Sequence, residues 1–146
     1  VCLGSQFMAK ALRAAVRAGN AFEIGMTPVR LTPEARFDPV FSTLPDSFDV
    51  FEWHGEVFEL PKDCTPLAGS DIAPLQAFRY GKRAYGLLFH LEMDRAGIDQ
   101  LCRECRPDLT RAGMTARQIT EAAWPHLPTL HRFADDLIGT VLSPER

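Results

Sequence analysis

Three side chains of this 146-residue sequence are of the types that acyl-transfer chemistry needs: Cys2 at the start, and His90 and Glu92 far downstream. A cysteine thiolate is a strong nucleophile, a histidine can carry its proton, and a carboxylate can fix the histidine tautomer. Such a group is defined by geometry and roles, so its order along the chain is no obstacle. The three residues predict covalent attack by Cys2 on a carbonyl carbon, with His90 as the base and Glu92 as its orienting acid.

The segment after Cys2 predicts a helix that would favour a thiolate. Apolar residues recur on one helical face over residues 5–18, and Gly19-Asn20 is a typical helix stop. Cys2 and Gly4 then lie ahead of a helix N-terminus, where free amides and the helix dipole favour negative charge. The backbone amide of Leu3, directly after the nucleophile, is the expected oxyanion donor.

The middle of the chain favours short strands, and the last third favours helices, one of which should begin at the capping-box pattern Thr115-Ala116-Arg117-Gln118. Strand-like segments occur at residues 22–31, 48–53, 57–60, 65–68, 75–80 and 82–90. The pattern predicts a turn at His54-Gly55-Glu56 and a hairpin around Gly81. In an extended segment His90 and Glu92 project to the same side.

Six short motifs follow one another over the first 92 residues: Cys2-Leu3-Gly4-Ser5-Gln6, Glu23-Ile24-Gly25, Pro28-Val29, Trp53-His54-Gly55-Glu56, Gln76-Ala77-Phe78-Arg79 and Phe89-His90-Leu91-Glu92. With these motifs the chain resembles the C-terminal part of a class I glutamine amidotransferase domain. The resemblance is to the stand-alone kind, similar to the glutaminase domain of GMP synthase. Each motif alone is weak, whereas the ordered set is specific.

The resemblance implies an α/β fold with three α/β/α layers, a flavodoxin-like core and a mixed, mostly parallel sheet. It implies that residues 1–146 are the C-terminal part of one such domain, with residues 1–92 as catalytic core segment and 93–146 as a helical tail. Family members carry strands and a glycine-rich loop before the cysteine. We therefore expect this chain to hold only the second half of the fold, as a fragment of a longer reading frame.

The activity implied is hydrolysis of the side-chain amide of glutamine through a γ-glutamyl thioester on the cysteine, with release of ammonia and glutamate. By resemblance, the substrate-binding residues are Gly4, Gln6, His54, Gly55 and Glu56. Glu56 departs from the family pattern, in which the usual acid is Asp.

Two other functions remain open at the level of the sequence. The same triad fits a γ-glutamyl peptidase or hydrolase that cleaves other γ-glutamyl amides, and the scaffold also fits a non-catalytic binding domain. For an amidotransferase, the resemblance implies that any synthase partner is a separate polypeptide. Because a truncated sheet would expose apolar edges, we also expect self-association, such as a homodimer.

Composition excludes several classes of partner. The net charge of −3 gives no basic footprint for nucleic acid. No apolar run approaches the roughly 18 residues that span a membrane. Four cysteines at unremarkable spacing indicate free thiols in a reducing compartment, so cytoplasm is the default location. We expect no cofactor.

A zinc site is the remaining metal hypothesis. Cys102, Cys105, His126 and His131 have the spacing C-x2-C-x20-H-x4-H, and two cysteines with two histidines are ligands that zinc favours. The central gap exceeds the roughly 12–15 residues of small zinc modules. We therefore expect no metal at these residues.

Overall fold

Five strands form one sheet in the computed structural model, which describes residues 1–143. They are β1 (Val16–Leu31), β2 (Ser47–Phe58), β3 (Cys64–Gly69), β4 (Ala77–Tyr80) and β5 (Ala84–Leu87). Their order across the sheet is β2-β1-β3-β4-β5. Short 3₁₀ helices at Pro33–Phe37 and Phe41–Thr43 lie between β1 and β2.

Every pair of neighbouring strands in this sheet is antiparallel. The predicted α/β class is confirmed, but the expectation of a mostly parallel sheet is not met within residues 1–143. Parallel neighbours need a crossover of a dozen or more residues, so the short turn between β4 and β5 allows only an antiparallel pair. The connection between β1 and β2, residues 32–46, is long enough for either arrangement, and the register shows an antiparallel pair.

The sheet curls so that its two outer strands approach each other. His90, three residues beyond the end of β5, pairs with Phe51 of β2. The His90 amide donates to the Phe51 carbonyl at 2.8 Å, and the Phe51 amide donates to the His90 carbonyl at 3.3 Å. This pairing brings the segment after β5 against β2, the strand at the opposite edge.

Five helices cover the sheet: α1 (Leu3–Ala11), α2 (Arg95–Glu104), α3 (Arg106–Ala112), α4 (Ala116–Ala123) and α5 (Leu127–Leu142). The capping box predicted for α4 is present, because Thr115 and Gln118 satisfy each other's backbone amides. The Asp94 side chain caps α2 by accepting from the Gly97 amide at 2.7 Å.

Two apolar clusters lie on opposite faces of the sheet. The larger cluster includes Ala77 and joins the sheet to α2–α5, whereas the smaller one joins Phe78 and Leu88 to Ala9 of α1. Ala77 and Phe78 are adjacent in β4, and successive side chains of a strand point to opposite faces. Helices therefore pack on both sides of the sheet, with α1 alone on one side and α2–α5 on the other.

The helix predicted over residues 5–18 ends at Ala11. Arg13 has a left-handed φ of 65°, and β1 begins at Val16, so Gly19 and Asn20 lie in a strand and do not terminate a helix. Val16 and Arg17 pair with Phe58 and Val57 of β2. These cross-strand partners outweigh the helical periodicity of the segment.

The turn predicted at His54-Gly55-Glu56 is also wrong, because β2 runs without interruption from Ser47 to Phe58. The glycine in this motif serves packing. A Cβ atom on Gly55 would lie 2.6 Å from the ring of Phe22 in β1. The hairpin predicted around Gly81 is confirmed by the pairing of β4 with β5.

Candidate active site

Cys2 occupies a strained position directly before α1. Its φ and ψ are 44° and −110°, a left-handed φ that residues other than glycine rarely adopt. The Cys2 amide donates to the Leu87 carbonyl of β5 at 2.7 Å, and the Ser5 hydroxyl donates to the Cys2 carbonyl at 2.6 Å. A strained residue directly before a helix is one part of a nucleophile elbow, the turn that exposes a reactive side chain.

His90 and Glu92 form a close pair beside this turn. His90 Nδ1 lies 2.6 Å from Glu92 Oε1, and Glu92 Oε2 accepts the Leu91 amide at 3.0 Å. With Nδ1 facing the carboxylate, the tautomer that carries a proton on Nδ1 is favoured. Nε2 is then available to exchange a proton with another group.

The charges of the site stabilise the cationic form of His90. Burial opposes that form, but hydrogen bonds to Cys2 and Glu92 and their negative charges outweigh it, and together they raise the pKa of His90 to about 9. Burial likewise works against ionised Glu92, but the hydrogen bond to His90 lowers the pKa of this carboxyl below its ordinary value. The structure therefore brings Cys2, His90 and Glu92 into one interacting group.

The first turn of α1 borders this group. Leu3 is the first residue of the helix, where an amide has no intrahelical acceptor. The Gly4 amide donates to the Val1 carbonyl at 2.9 Å. A Cβ atom on Gly4 would contact no atom within 4 Å, so packing within residues 1–143 does not require glycine there.

The residues predicted to bind substrate divide into two groups. Gln6 is buried beside Cys2, and its Nε2 donates to the Glu56 carbonyl at 3.5 Å, while the Glu56 side chain is exposed. The His54 side chain, by contrast, is only 2% exposed and contacts Glu23 and Glu52 in the interior. The backbone on either side of His54 does reach the site, because the Trp53 carbonyl contacts Cys2 Sγ and the Glu56 carbonyl contacts Gln6 Nε2.

A buried polar cluster beneath the site is not predicted from the sequence. His54 Nε2 lies 3.3 Å from Glu23 Oε2 and 3.2 Å from Glu52 Oε2. Glu23 also accepts from the Ser70 hydroxyl at 2.6 Å and from Gln76 Nε2 at 3.0 Å. Glu23 and Gln76 each open one of the six sequence motifs. The sequence signal that could have indicated a buried Glu52 is its place between two aromatic residues of a strand.

The cluster shifts the titration of its members. Burial disfavours charge on His54, but its contacts with Glu23 and Glu52 outweigh burial and raise the pKa of His54 to about 9. Burial also raises the pKa of Glu52, against the opposing effect of His54. The cluster is thus a buried histidine between two acidic side chains, in surroundings that favour its cationic form.

The structure of residues 1–143 contains no metal centre at the four residues of the zinc hypothesis, Cys102, Cys105, His126 and His131. Across residues 1–143, no three or more His, Cys, Asp or Glu side chains are placed to hold a metal ion. His131 Nε2 instead contacts the Met93 carbonyl at 2.9 Å. The same part of the chain contains no helix with the length and apolar character needed to cross a membrane.

Residues 1–100, which contain all of the motifs and the Cys2–His90–Glu92 group, match the family model described as glutamine amidotransferase class-I. The chain belongs to the class I glutamine amidotransferase family. The glutamine amidotransferase-like protein YfeJ of Salmonella typhimurium is 32% identical over 143 residues, covering 94% of this chain and 60% of that protein.

Two further amidotransferase relatives differ in how far they extend along the chain. The crystal structure of a glutamine amidotransferase from Thermotoga maritima superposes with a TM-score of 0.86 at 33% identity, over 97% of this chain and 61% of that one. The glutamine-hydrolysing GMP synthase of Pyrococcus abyssi has a subunit that is 34% identical over 95 residues, covering 64% of this chain and 49% of its own length. The chain spans about 60% of the length of YfeJ and of the Thermotoga maritima amidotransferase.

Proposed function

We propose that this chain carries the glutamine-hydrolysing site of an amidotransferase, with Cys2 as nucleophile, His90 as general acid and base, and Glu92 as the acid that orients His90. One observation supports it most directly. His90 contacts Glu92 at 2.6 Å and interacts with Cys2, which itself lies in a strained turn at the start of α1. This is the arrangement that nucleophilic catalysis by a thiolate requires.

In the first step, the Cys2 thiolate attacks the side-chain amide carbon of glutamine. The charge that develops on the oxygen is stabilised by the amide of Leu3. The C–N bond then breaks, and the His90 imidazolium gives its proton to the departing nitrogen. Ammonia leaves, and a γ-glutamyl thioester remains on Cys2.

In the second step, neutral His90 takes a proton from water, and the resulting hydroxide attacks the thioester carbon. The C–S bond breaks, the new γ-carboxylic acid loses its proton to solvent to give glutamate, and the His90 imidazolium again faces a Cys2 thiolate. Gly4, Gln6 and the backbone at Gly55 and Glu56 would hold the amino-acid end of the substrate. Their nearness to Cys2, seen in the Gln6–Glu56 contact, supports this role.

The acceptor of ammonia would lie on another polypeptide. In Pyrococcus abyssi the matching region belongs to one subunit of a GMP synthase, and a comparable division would give this site a separate synthase partner. Residues 1–92 would be the catalytic core segment and residues 93–146 the helical tail of one domain. The four free cysteines suit a reducing compartment such as the cytoplasm.

The test is alkylation by a glutamine-mimicking chloroketone, followed by peptide mapping. We expect one adduct on Cys2, suppressed by glutamine, with Cys64 as an internal control because it is also half-buried. Rates with glutamine and with γ-glutamyl dipeptides should then be compared in the parent protein and in Cys2→Ala. Much faster turnover of dipeptides would favour a γ-glutamyl hydrolase. Absence of an adduct on the folded chain would refute the proposal.

A further inference from the structure

A histidine between two buried carboxylates lies directly beneath the proposed catalytic group. Glu23 is 2% exposed and Glu52 is fully buried. His54 Nε2 is 3.3 Å from one carboxylate and 3.2 Å from the other. Buried charges are stable only when they are paired. Two acidic neighbours therefore favour a cationic ring.

The two carboxylates are not equivalent. Glu23 accepts hydrogen bonds from the Ser70 hydroxyl and Gln76 Nε2, so its carboxylate has polar partners besides His54. The oxygens of Glu52 accept no comparable hydrogen bond within residues 1–143, and His54 is their close polar neighbour. The direct side-chain contact of Glu52 in this cluster is therefore the one with the histidine of its own strand.

The backbone on either side of His54 contacts the site. The Trp53 carbonyl lies 3.8 Å from Cys2 Sγ, and the Glu56 carbonyl accepts from Gln6 Nε2 at 3.5 Å. Earlier in the same strand, Phe51 forms the backbone pair with His90. A short stretch of β2 thus contacts the nucleophile, the base and a proposed substrate-binding residue.

This stretch of β2 has a weakened backbone ladder. Glu56 pairs with Ala18 and His54 pairs with Glu23, so the register shifts between these pairs and residues 19–22 of β1 lie opposite Gly55. Such an irregularity leaves residues unpaired and permits local bending. Side-chain contacts across the two strands, from Glu23 to His54, are therefore well placed to restrain the bend.

We propose that His54 is a positioning residue of this site and acts through strand β2. Held as a cation between Glu23 and Glu52, its ring fixes the backbone that faces Cys2 and Gln6. The titratable groups that face the His54 ring are Glu23 on β1 and Glu52 on its own strand. His90, after β5, interacts electrostatically with Glu52. This inference rests on the proposed function, since it names what aligns the same pocket.

The experiment compares the full chain with His54→Gln and Glu52→Gln, and uses Glu59→Gln as a matched control with an exposed carboxylate. Cys2 is alkylated with the glutamine-mimicking chloroketone and, separately, with iodoacetamide, which needs no amino-acid pocket. For His54→Gln we expect the chloroketone rate to fall by about tenfold or more relative to the iodoacetamide rate. A purely structural role would lower the melting temperature without changing this ratio.

Histidine NMR provides an independent readout that does not require activity. In the parent protein, the His54 ring should remain protonated well above the ordinary histidine range. Glu52→Gln should lower the His54 titration midpoint, and Glu59→Gln should leave it unchanged. This arm keeps the inference testable if His54→Gln does not fold, because Glu52→Gln preserves side-chain size.

The outcomes separate the two proposals. Chloroketone labelling of the parent that glutamine fails to suppress would refute the proposed function. Protected labelling of the parent together with an unchanged reagent ratio in His54→Gln would overturn the positioning role alone. An ordinary titration midpoint for His54 in the parent would also overturn it.

Discussion

Glu92 uses one carboxylate oxygen to contact the His90 ring and the other to accept the backbone amide between the two residues. Glu92 Oε1 lies 2.6 Å from His90 Nδ1, while Oε2 accepts the intervening Leu91 amide at 3.0 Å. The segment therefore orients its own histidine ring by contacts within three residues. Its position relative to Cys2 has a different origin, because the backbone pair between His90 and Phe51 sets it.

Glu92→Gln should lower the pKa of His90 and slow glutamine hydrolysis. The substitution removes the negative charge that helps to stabilise the imidazolium, and it disturbs the ring tautomer. A loss of about 10²-fold or more in kcat/KM is expected, with KM little changed. Steady-state ammonia release measures the effect. Glu121→Gln, at an exposed side chain of α4, is the matched control. Equal rates for the two variants would contradict an orienting role for Glu92.

Because the pKa values of two histidines are raised, the free energy of unfolding should fall as the pH becomes alkaline. His90 and His54 have folded-state pKa values of about 9, above the reference value of 6.5. Their contribution is fully present below about pH 6.5 and is lost as the pH rises through about 9. Each could contribute up to roughly 3 kcal/mol. Urea unfolding between pH 6 and pH 10 should show this decline. In His54→Gln the free energy of unfolding should decline less steeply with pH. An equally steep decline in the variant and the parent would contradict the interaction of His54 with Glu23 and Glu52.

Gly55→Ala should destabilise the protein through overpacking against β1. The new methyl group would lie 2.6 Å from the Phe22 ring, a distance at which either the ring or one of the two strands must move. We expect a loss of about 1–3 kcal/mol in the free energy of unfolding. Gly139→Ala in α5 is the control, because a Cβ there meets nothing within 4 Å and should stabilise the helix by up to about 1 kcal/mol. Urea denaturation of both variants measures the difference. Adding Phe22→Leu to Gly55→Ala should recover part of the loss.

Arg79→Ala should destabilise the fold by removing the partner of a buried carboxylate. Arg79 Nε lies 2.6 Å from Asp38 Oδ2, and the Asp38 side chain is fully buried. An unpaired charge would remain inside the protein, at a cost of about 3–5 kcal/mol. Thermal unfolding of this variant, compared with Arg117→Ala at an exposed ion pair of α4, measures the difference. Similar melting temperatures would show that the amides of Val40 and Phe41 and the Tyr85 hydroxyl satisfy Asp38 without Arg79.

Local patterns predict those parts of the fold whose partners are close in sequence. The capping box at Thr115 and Gln118 and the hairpin around Gly81 involve residues within a few positions of each other, and both predictions are confirmed. The helix after Cys2 is also predicted, but its end is not. Helical periodicity over residues 5–18 contains no information about the strand that pairs with Val16.

The sequence by itself determined the family, the α/β class and the candidate residues Cys2, His90 and Glu92, because residue type and motif order are properties of the chain. Only the tertiary structure decided that β2 continues through His54 and that Glu23 and Glu52 converge on its ring. A glutamate in a strand can face either water or the interior. Its direction depends on the strands that pair beside it and on the curl of the whole sheet. Those long-range pairings are formed by residues that are far apart in sequence, so no local pattern specifies them.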